Sequence, residues 1–488
     1  MQQTDPARSK SFVPPAFISA QPTLDKRRIA VLPLQNISPD PKDEYLADGM
    51  TEELISTMSR IGGLKVIART SVMRYKGGGK GIDEIARELM VGSILEGSVR
   101  KAGEKLRITV QLIDSMSSDH IWSESYDREL KDVFEIQADI SKTVAEALKV
   151  QLKVGEKERI EKEPTKSTEA HTMCLKGIYY NMDAVTEAET RKAIKCLERA
   201  VELDPSYALA YASLSDAYSY LAWGGFLSLA EVLPRAEKAA TKALELDPDL
   251  AEAHNSLAYT LYLKLDWRGC EDEVRKALEL NPNSAYGHVI YAMLLSATGR
   301  LDEAGVEAKR ALELDPISRP ANWVMYRVFY FNRQYDRSIE HLKKMREFDP
   351  DFSGIASGLG FCYLQKALYD EAIAEFQKTV DPSKGKADLA FSELACAYAK
   401  SGRREEAVRI LNDYEEISKN QFIPAYAMVR IHLALGQKDE AIERLEKAYD
   451  EREYSSLDGD SLKVNPIYDD LQSDPRFIAL LKKVGLEK

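Results

Sequence analysis

The chain has 488 residues, 44% of them hydrophobic and 30% charged, with a formal net charge of −12. That length exceeds one ordinary core and suffices for two or three, and the composition is that of a globular protein in water. No run of about 18 apolar residues occurs, which excludes a transmembrane helix. The acidic balance and the lack of a basic stripe argue against nucleic acid and anionic membranes as partners.

Residues 1–27 read as a disordered lead-in. Their basic start is followed by a few apolar residues that Pro14 and Pro15 interrupt, too short a stretch for a signal-peptide core. Residues 28–153 read as an α/β unit. "RRIAVLPL" is a short strand, "EYLADGMTEELISTMSRI" a helix, "LKVIART" a second strand and "IDEIARELM" a second helix. Three strands follow, with turns at Ala102-Gly103 and Ser117-Ser118, and a helix from about Val133 to Leu152 closes the unit. A strand–helix–strand opening followed by a meander predicts a mixed sheet covered by helices. Residues 154–168 read as a polar linker.

Beyond the linker the sequence repeats. An apolar residue followed by Asp or Asn and then Pro occurs at Leu203-Asp204-Pro205, Leu246-Asp247-Pro248, Leu280-Asn281-Pro282, Leu314-Asp315-Pro316 and Phe348-Asp349-Pro350. From Pro248 to Pro350 the spacing is 34 residues each time; the first interval is 43, one period plus nine residues near Trp223-Gly224-Gly225. Twelve residues before each proline stands a small side chain: Ala193, Ala236, Cys270, Ala304 and Ser338. The column continues through Ala372, Ala407 and Ala441. A third column reads Ala200, Ala243, Ala277, Ala311. Small residues at a fixed period mark close helix crossings. Between the markers apolar residues recur at three- and four-residue spacing, with Gly299, Gly402 and Gly436 at the turns. Residues 169–453 therefore hold about eight helical pairs, and residues 454–488 a capping segment whose helix runs from Asp474 to Val484.

The whole negative balance lies in this C-terminal part, since residues 1–160 carry 24 acidic and 24 basic residues. The five cysteines form no C-x-x-C pair and are odd in number, which suits buried free thiols in a reducing compartment and hence the cytoplasm. "KGGGKG" at residues 76–81 misses the phosphate-loop spacing, because Lys80 is followed by Gly81. His254 and His288 stand one period apart, too far for one metal ion to hold both. Asp43-Glu44 and Thr51-Glu52-Glu53 read as acidic residues at a helix start, which the helix dipole explains. "DYEEISKN" reads as a solvated face, and Trp122 and Tyr126 as core. No catalytic, cofactor or metal site is expected.

A 34-residue helix–turn–helix with these columns resembles the tetratricopeptide repeat. Tyr211, Leu214, Ser215 and Tyr218 match the family's fourth, seventh, eighth and eleventh positions, and Ala356, Leu359, Gly360 and Tyr363 match them again. One repeat departs, with Tyr326 at the small position. The resemblance implies a protein or peptide partner in an inner groove lined by the second, fifth, ninth and twelfth positions. In this chain those places hold Tyr259, Tyr262, Tyr286, Trp323, Arg327, Tyr330, Phe361, Tyr426 and Arg430. The segments "IAVLPLQNISPDPKDEYLADGMTEELISTMSRIGGLKVIARTS" and "GSILEGSVRKAGEKLRITVQLIDSMSSDHIWSESYDREL" resemble the TolB amino-terminal-like, or FlgO-like, domain. In that family the domain often precedes such repeats, behind a class III adenylate cyclase, a kinase or a winged-helix regulator. With about 27 residues ahead of the domain, no such effector is expected in this chain. The expectation is a non-catalytic interaction scaffold, or else a regulatory subunit or detached C-terminal part of a signalling enzyme or transcription regulator. The sequence names neither the partner nor the oligomeric state.

Overall fold

A computed structural model describes residues 24–182, 186–223, 227–421, 423–451 and 461–487. Most of the expected lead-in, and Gly224-Gly225 of the insertion, lie outside the described residues.

The first unit is built on a six-stranded mixed sheet. Its elements in order are β1 (Arg28–Val31), β2 (Gln35–Asn36), α1 (Glu44–Ser59), β3 (Lys65–Val66), α2 (Arg69–Met73), α3 (Ile82–Leu89), β4 (Ser93–Ala102), β5 (Lys105–Asp114), β6 (His120–Glu129) and α4 (Val133–Ala147). Strand order is β3-β1-β4-β5-β6, with β2 also on β4. β1 lies parallel to β3 and β4, while β4, β5 and β6 form the antiparallel meander. Alternation assigns the faces of β5. Leu106, Ile108, Val110 and Leu112 are buried, while Arg107 pairs with Asp127 at 2.7 Å on the open face. Met50, Leu54 and Met58 of α1 and Ile136, Ile140 and Val144 of α4 complete the core. Tyr126 is buried and Trp122 half-buried against it.

Two expectations about this end are corrected. The closing helix stops at Ala147, not Leu152, because Lys149 takes φ 55° and the Val150 amide returns to the Ala145 carbonyl at 2.8 Å. The stretch read as a polar linker is helical over Val154–Glu161, here α5. Its charged composition hides two inward contacts: Ile160 is buried in the sheet core, and Glu156 accepts the Gly62 amide at 3.1 Å.

Eight helical pairs follow among the described residues. They are α6 (Thr168–Met182) with α7 (Glu187–Leu203), α8 (Ala208–Trp223) with α9 (Leu229–Leu246), and α10 (Ala251–Leu263) with α11 (Trp267–Leu280). Next come α12 (Ala285–Ala297) with α13 (Leu301–Leu314), α14 (Arg319–Phe331) with α15 (Tyr335–Phe348), and α16 (Ser353–Gln365) with α17 (Tyr369–Gln377). The last are α18 (Ala390–Lys400) with α19 (Arg404–Ile417) and α20 (Ala425–Ala434) with α21 (Lys438–Asp450). The chain is thus an N-terminal α/β unit followed by an all-α tetratricopeptide-repeat solenoid. Every member of the small-residue column from Ala193 to Ala441 is 0% exposed, as are Ala200, Ala243, Ala277 and Ala311.

The markers act as helix stops. α7, α9, α11, α13 and α15 each end on the marker's apolar residue, and the next residue's amide bonds back to the fourth carbonyl before it. Proline then forbids continuation. At the turns inside the pairs, Gly299, Gly402 and Gly436 take positive φ, as do Leu265, Arg333 and Ala367 at matching places. The non-glycine residues pay strain for that conformation.

The α/β unit is joined to the solenoid along the marker loops. Asn283 donates to the Ser59 carbonyl at 2.9 Å, Ser71 to Asp315 at 2.6 Å, and Arg28 to the Glu313 carbonyl at 2.5 Å. Lys162 pairs with Asp247 at 2.7 Å, and Thr165 bonds Asp204. Leu175 of α6 enters the sheet core against Gly49, where a Cβ would lie 2.9 Å from its methyl carbon. At the other end α22 (Pro475–Lys483), capped by Asp474, packs its Phe477, Leu480 and Leu481 with Ile442 and Leu445 of the last pair. The same segment reaches back to the third pair, where the Trp267 indole N–H donates to the Val484 carbonyl at 2.6 Å. Leu265 joins that cluster, and Arg333 donates to the Val464 carbonyl and Asp469, so two of the strained turns are buttressed by the C-terminal segment.

Candidate functional site

First helices of successive pairs form the inner wall, and four of them bound a cavity of about 640 Å³. α14 contributes Trp323, Arg327 and Tyr330, α16 Phe361, and α20 Tyr426 and Arg430; Glu393 and Lys400 come from α18. The stretch 465–470 of the C-terminal segment closes one side. Offsets of four and three residues hold the α14 side chains on one helix face. Six of the nine expected groove residues therefore meet in one place.

Packing orients this wall. The Trp323 ring lies 4.6 Å from Tyr326 and 5.5 Å from Phe352, centroid to centroid. Tyr326, bulky at a position that is small elsewhere, fits because Gly358 faces it; a Cβ there would stand 3.0 Å from its ring. Arg327 lies 5.2 Å over Phe331 and donates to the Ser461 hydroxyl at 2.7 Å. Arg430 lies over both Phe361 (5.2 Å) and Tyr426 (4.8 Å). Guanidinium groups stacked on rings keep their edge donors directed, which suits carboxylate recognition.

The other three expected residues lie apart from the cavity. Tyr259 stacks on Tyr262 at 6.4 Å and lies 6.3 Å from Tyr286, which is 40% exposed. Two residues depart from the expected open wall. Tyr262 is fully buried, because a twelfth-position side chain points at the turn into the second helix, where Trp267 closes over it at 5.7 Å. Tyr330, at the same position, is also buried, although it edges the cavity.

Thr51-Glu52-Glu53 stand two turns inside α1, not at its start, since the helix begins at Glu44 behind Asp43. Glu53 accepts from Gln137 and bonds His171 at 2.6 Å, joining α1 to α6. Burial pushes the Glu52 carboxyl up to about 7, with nearby Arg69 opposing and Glu252 adding to the rise. Asp216 is also pushed up to about 7 by burial, against its bond from Ser256 at 2.7 Å. Burial alone would raise Glu252, but Arg60 and Ser56 hold it below the usual carboxylate value. Leu209, Asp216 and Glu252 occupy the groove columns of the second and third pairs; the aromatic and arginine residues drew the sequence reading away from them.

The remaining motifs are structural. His254 bonds Glu273 at 2.5 Å and the Pro248 carbonyl at 2.9 Å; His288 bonds Glu307 at 2.6 Å and the Pro282 carbonyl at 3.2 Å. Both nitrogens of each ring are thus engaged. Lys76 is committed to Asp48 and Glu44, and Lys80 to Glu88, on either side of three glycines at positive φ. Cys174, Cys270, Cys362 and Cys396 are buried, and burial pushes the Cys174 and Cys362 thiols up to about 12.

Against known families, residues 25–143 match the one described as "HilA/YgeH-like transcriptional regulator, second domain". This description differs from the TolB amino-terminal-like resemblance. A curated protein of Rhizobium meliloti (strain 1021), named "Putative adenylate cyclase 3", is 38% identical over 267 residues. The match takes in 53% of this chain and 43% of that protein, so the chain spans less than half the length of this relative. Among solved structures, the human IFIT1 dimer with m7Gppp-AAAA is similar at 17% identity and a TM-score of 0.44, over 65% of this chain and 77% of that one. TTC0263, a thermophilic TPR protein of Thermus thermophilus, is similar at 14% identity and a TM-score of 0.35, over 40% and 99%. No helix among the described residues is long and apolar enough to cross a membrane.

Proposed function

We propose that this chain is a non-catalytic scaffold whose inner wall, between α14 and α20, binds an extended segment of a partner protein. The observation that carries this reading is the convergence of Trp323, Arg327, Phe361, Tyr426 and Arg430 on one cavity of about 640 Å³. Aromatic residues and arginine dominate binding hot spots. Arg327 and Arg430 receive a carboxylate of the partner, and the rings bury its apolar side chains. The chain's net charge of −12 disfavours a strongly acidic partner, so the bound segment carries one anchoring carboxylate in an otherwise apolar or basic stretch.

The α/β unit belongs, on this reading, to the TolB amino-terminal-like group and couples partner binding to a signalling process in the cytoplasm. The 38% identity to a protein named as an adenylate cyclase favours a second version, in which the chain regulates such an effector. The test is a peptide-display selection on the full chain, with selected peptides titrated against wild type and Arg430→Ala. Peptides sharing one carboxylate and binding the variant more weakly support the proposal. Selected peptides that bind Arg430→Ala as tightly as wild type oppose it.

A further inference from the structure

We propose that a second cavity, between α1 and the first helices of the first three pairs, binds a small primary amine that carries an oxygen acceptor. The cavity measures about 210 Å³. It lies at the junction of the α/β unit with the solenoid, remote from the wall formed by α14 to α20.

Three enclosed acceptor atoms around it have no hydrogen-bond partner: Glu52 Oε2 from α1, Asn181 Oδ1 from α6 and Glu252 Oε2 from α10. Orphaned acceptors in such a place are costly unless a donor meets them. An ammonium head carries three N–H donors and no acceptor, which matches the count. Charge agrees. Four carboxylates line the cavity, Glu52, Glu53, Asp216 and Glu252, against the cations Arg60, Arg159 and Lys162. Arg60 is spent on Glu252 and Lys162 on Asp247. The upward shift of Glu52 and Asp216 is what carboxyls show when burial is not offset by a bonded cation.

One enclosed donor, Arg159 Nε of α5, also lacks a partner, and it calls for an oxygen on the ligand. An arginine donor in the lining suits an organic cation better than a metal ion, and among the described residues no three His, Cys, Asp or Glu side chains are placed to hold one ion together. Because the lining spans α1, α4 and α5 on one side and α6, α7, α8 and α10 on the other, an occupant touches both units and ties them together.

The experiment is calorimetric titration of the full chain at pH 7.5 with 4-amino-1-butanol, beside 1,4-butanediol and butyltrimethylammonium. The expected result is saturable one-to-one binding of the amino alcohol, with the two controls at least tenfold weaker. Glu52→Gln, nearly isosteric, is expected to weaken binding about tenfold, the loss of one charged hydrogen bond. Asn181→Asp, which adds a negative charge at the same atom, is expected to strengthen it, and keeps the test decisive should Glu52→Gln fold poorly. No saturable heat with the amino alcohol overturns the proposal. So does equal binding of the diol, or an affinity indifferent to both substitutions.

Discussion

Replacing Ala304 with leucine tests the packing of the repeats at a fully enclosed position. Ala304 is 0% exposed and sits among Ile290, Leu294, Ala308 and Val324, between Cys270 and Ser338 of the neighbouring repeats, which are equally enclosed. Leucine adds three carbons where nothing can yield without parting α12 from α13. Forcing such bulk into a filled core costs about 1–3 kcal/mol. Repeat stability is a sum of local and nearest-neighbour contributions, so the loss acts first on this pair. Amide exchange in α12 and α13 should therefore quicken about 5- to 150-fold, as each 1.4 kcal/mol is tenfold. Val306→Leu is the control, because Val306 on the same helix is 54% exposed. Its effect should stay within about 0.5 kcal/mol. Exchange in Ala304→Leu that matches the Val306→Leu control would refute the column register.

Two further outcomes concern the junction. Glu52 and Asp216 have folded-state values near 7 against ordinary values of 4.5 and 3.8, so between these limits the folded chain holds more protons than the unfolded one. Stability then falls as pH rises through that window and levels off above about 7. His254, raised by Glu273 and the Pro248 carbonyl against its burial, adds stability below 6.5 that is lost as pH rises through its folded value. Melting temperature should drop from pH 5.5 to 8, and Glu52→Gln with Asp216→Asn should flatten the slope; an unchanged slope in the double variant would assign the dependence elsewhere. Limited proteolysis should cut between Glu161 and Thr168, where Glu161, Lys162, Glu163 and Lys166 are exposed. The two fragments should co-elute on gel filtration, held by Leu175, Asn283 and Asp315; separation without denaturant would contradict the described junction.

The solenoid was legible because its signal is redundant. Five proline markers and an eight-member column of small residues agree in period, and each is tied to a backbone event, a helix stop or a close crossing. The meander was legible from alternation in β5 and from turns that the structure places at Gly103 and Ser118, both at positive φ. The junction was not. Ser71, Asn283 and Asp315 look like ordinary turn residues, and only the folded chain shows that they meet across more than 200 positions of sequence. α5 was hidden because one buried isoleucine among charges leaves almost no periodic trace. Within the groove the column positions brought six residues to one cavity, but position alone could not foresee that Trp267 seals Tyr262. Nor could it foresee that Ser461 of the C-terminal segment meets Arg327.

The most direct test of the scaffold reading is the affinity of one display-selected peptide for wild type, Trp323→Ala and Arg327→Ala, each measured beside its melting temperature. Both variants should keep a melting temperature close to wild type while binding weakens by roughly 2 kcal/mol or more, about thirtyfold. Loss of folding without selective loss of binding would place Trp323 and Arg327 in the packing between repeats and rule out the groove as the binding site.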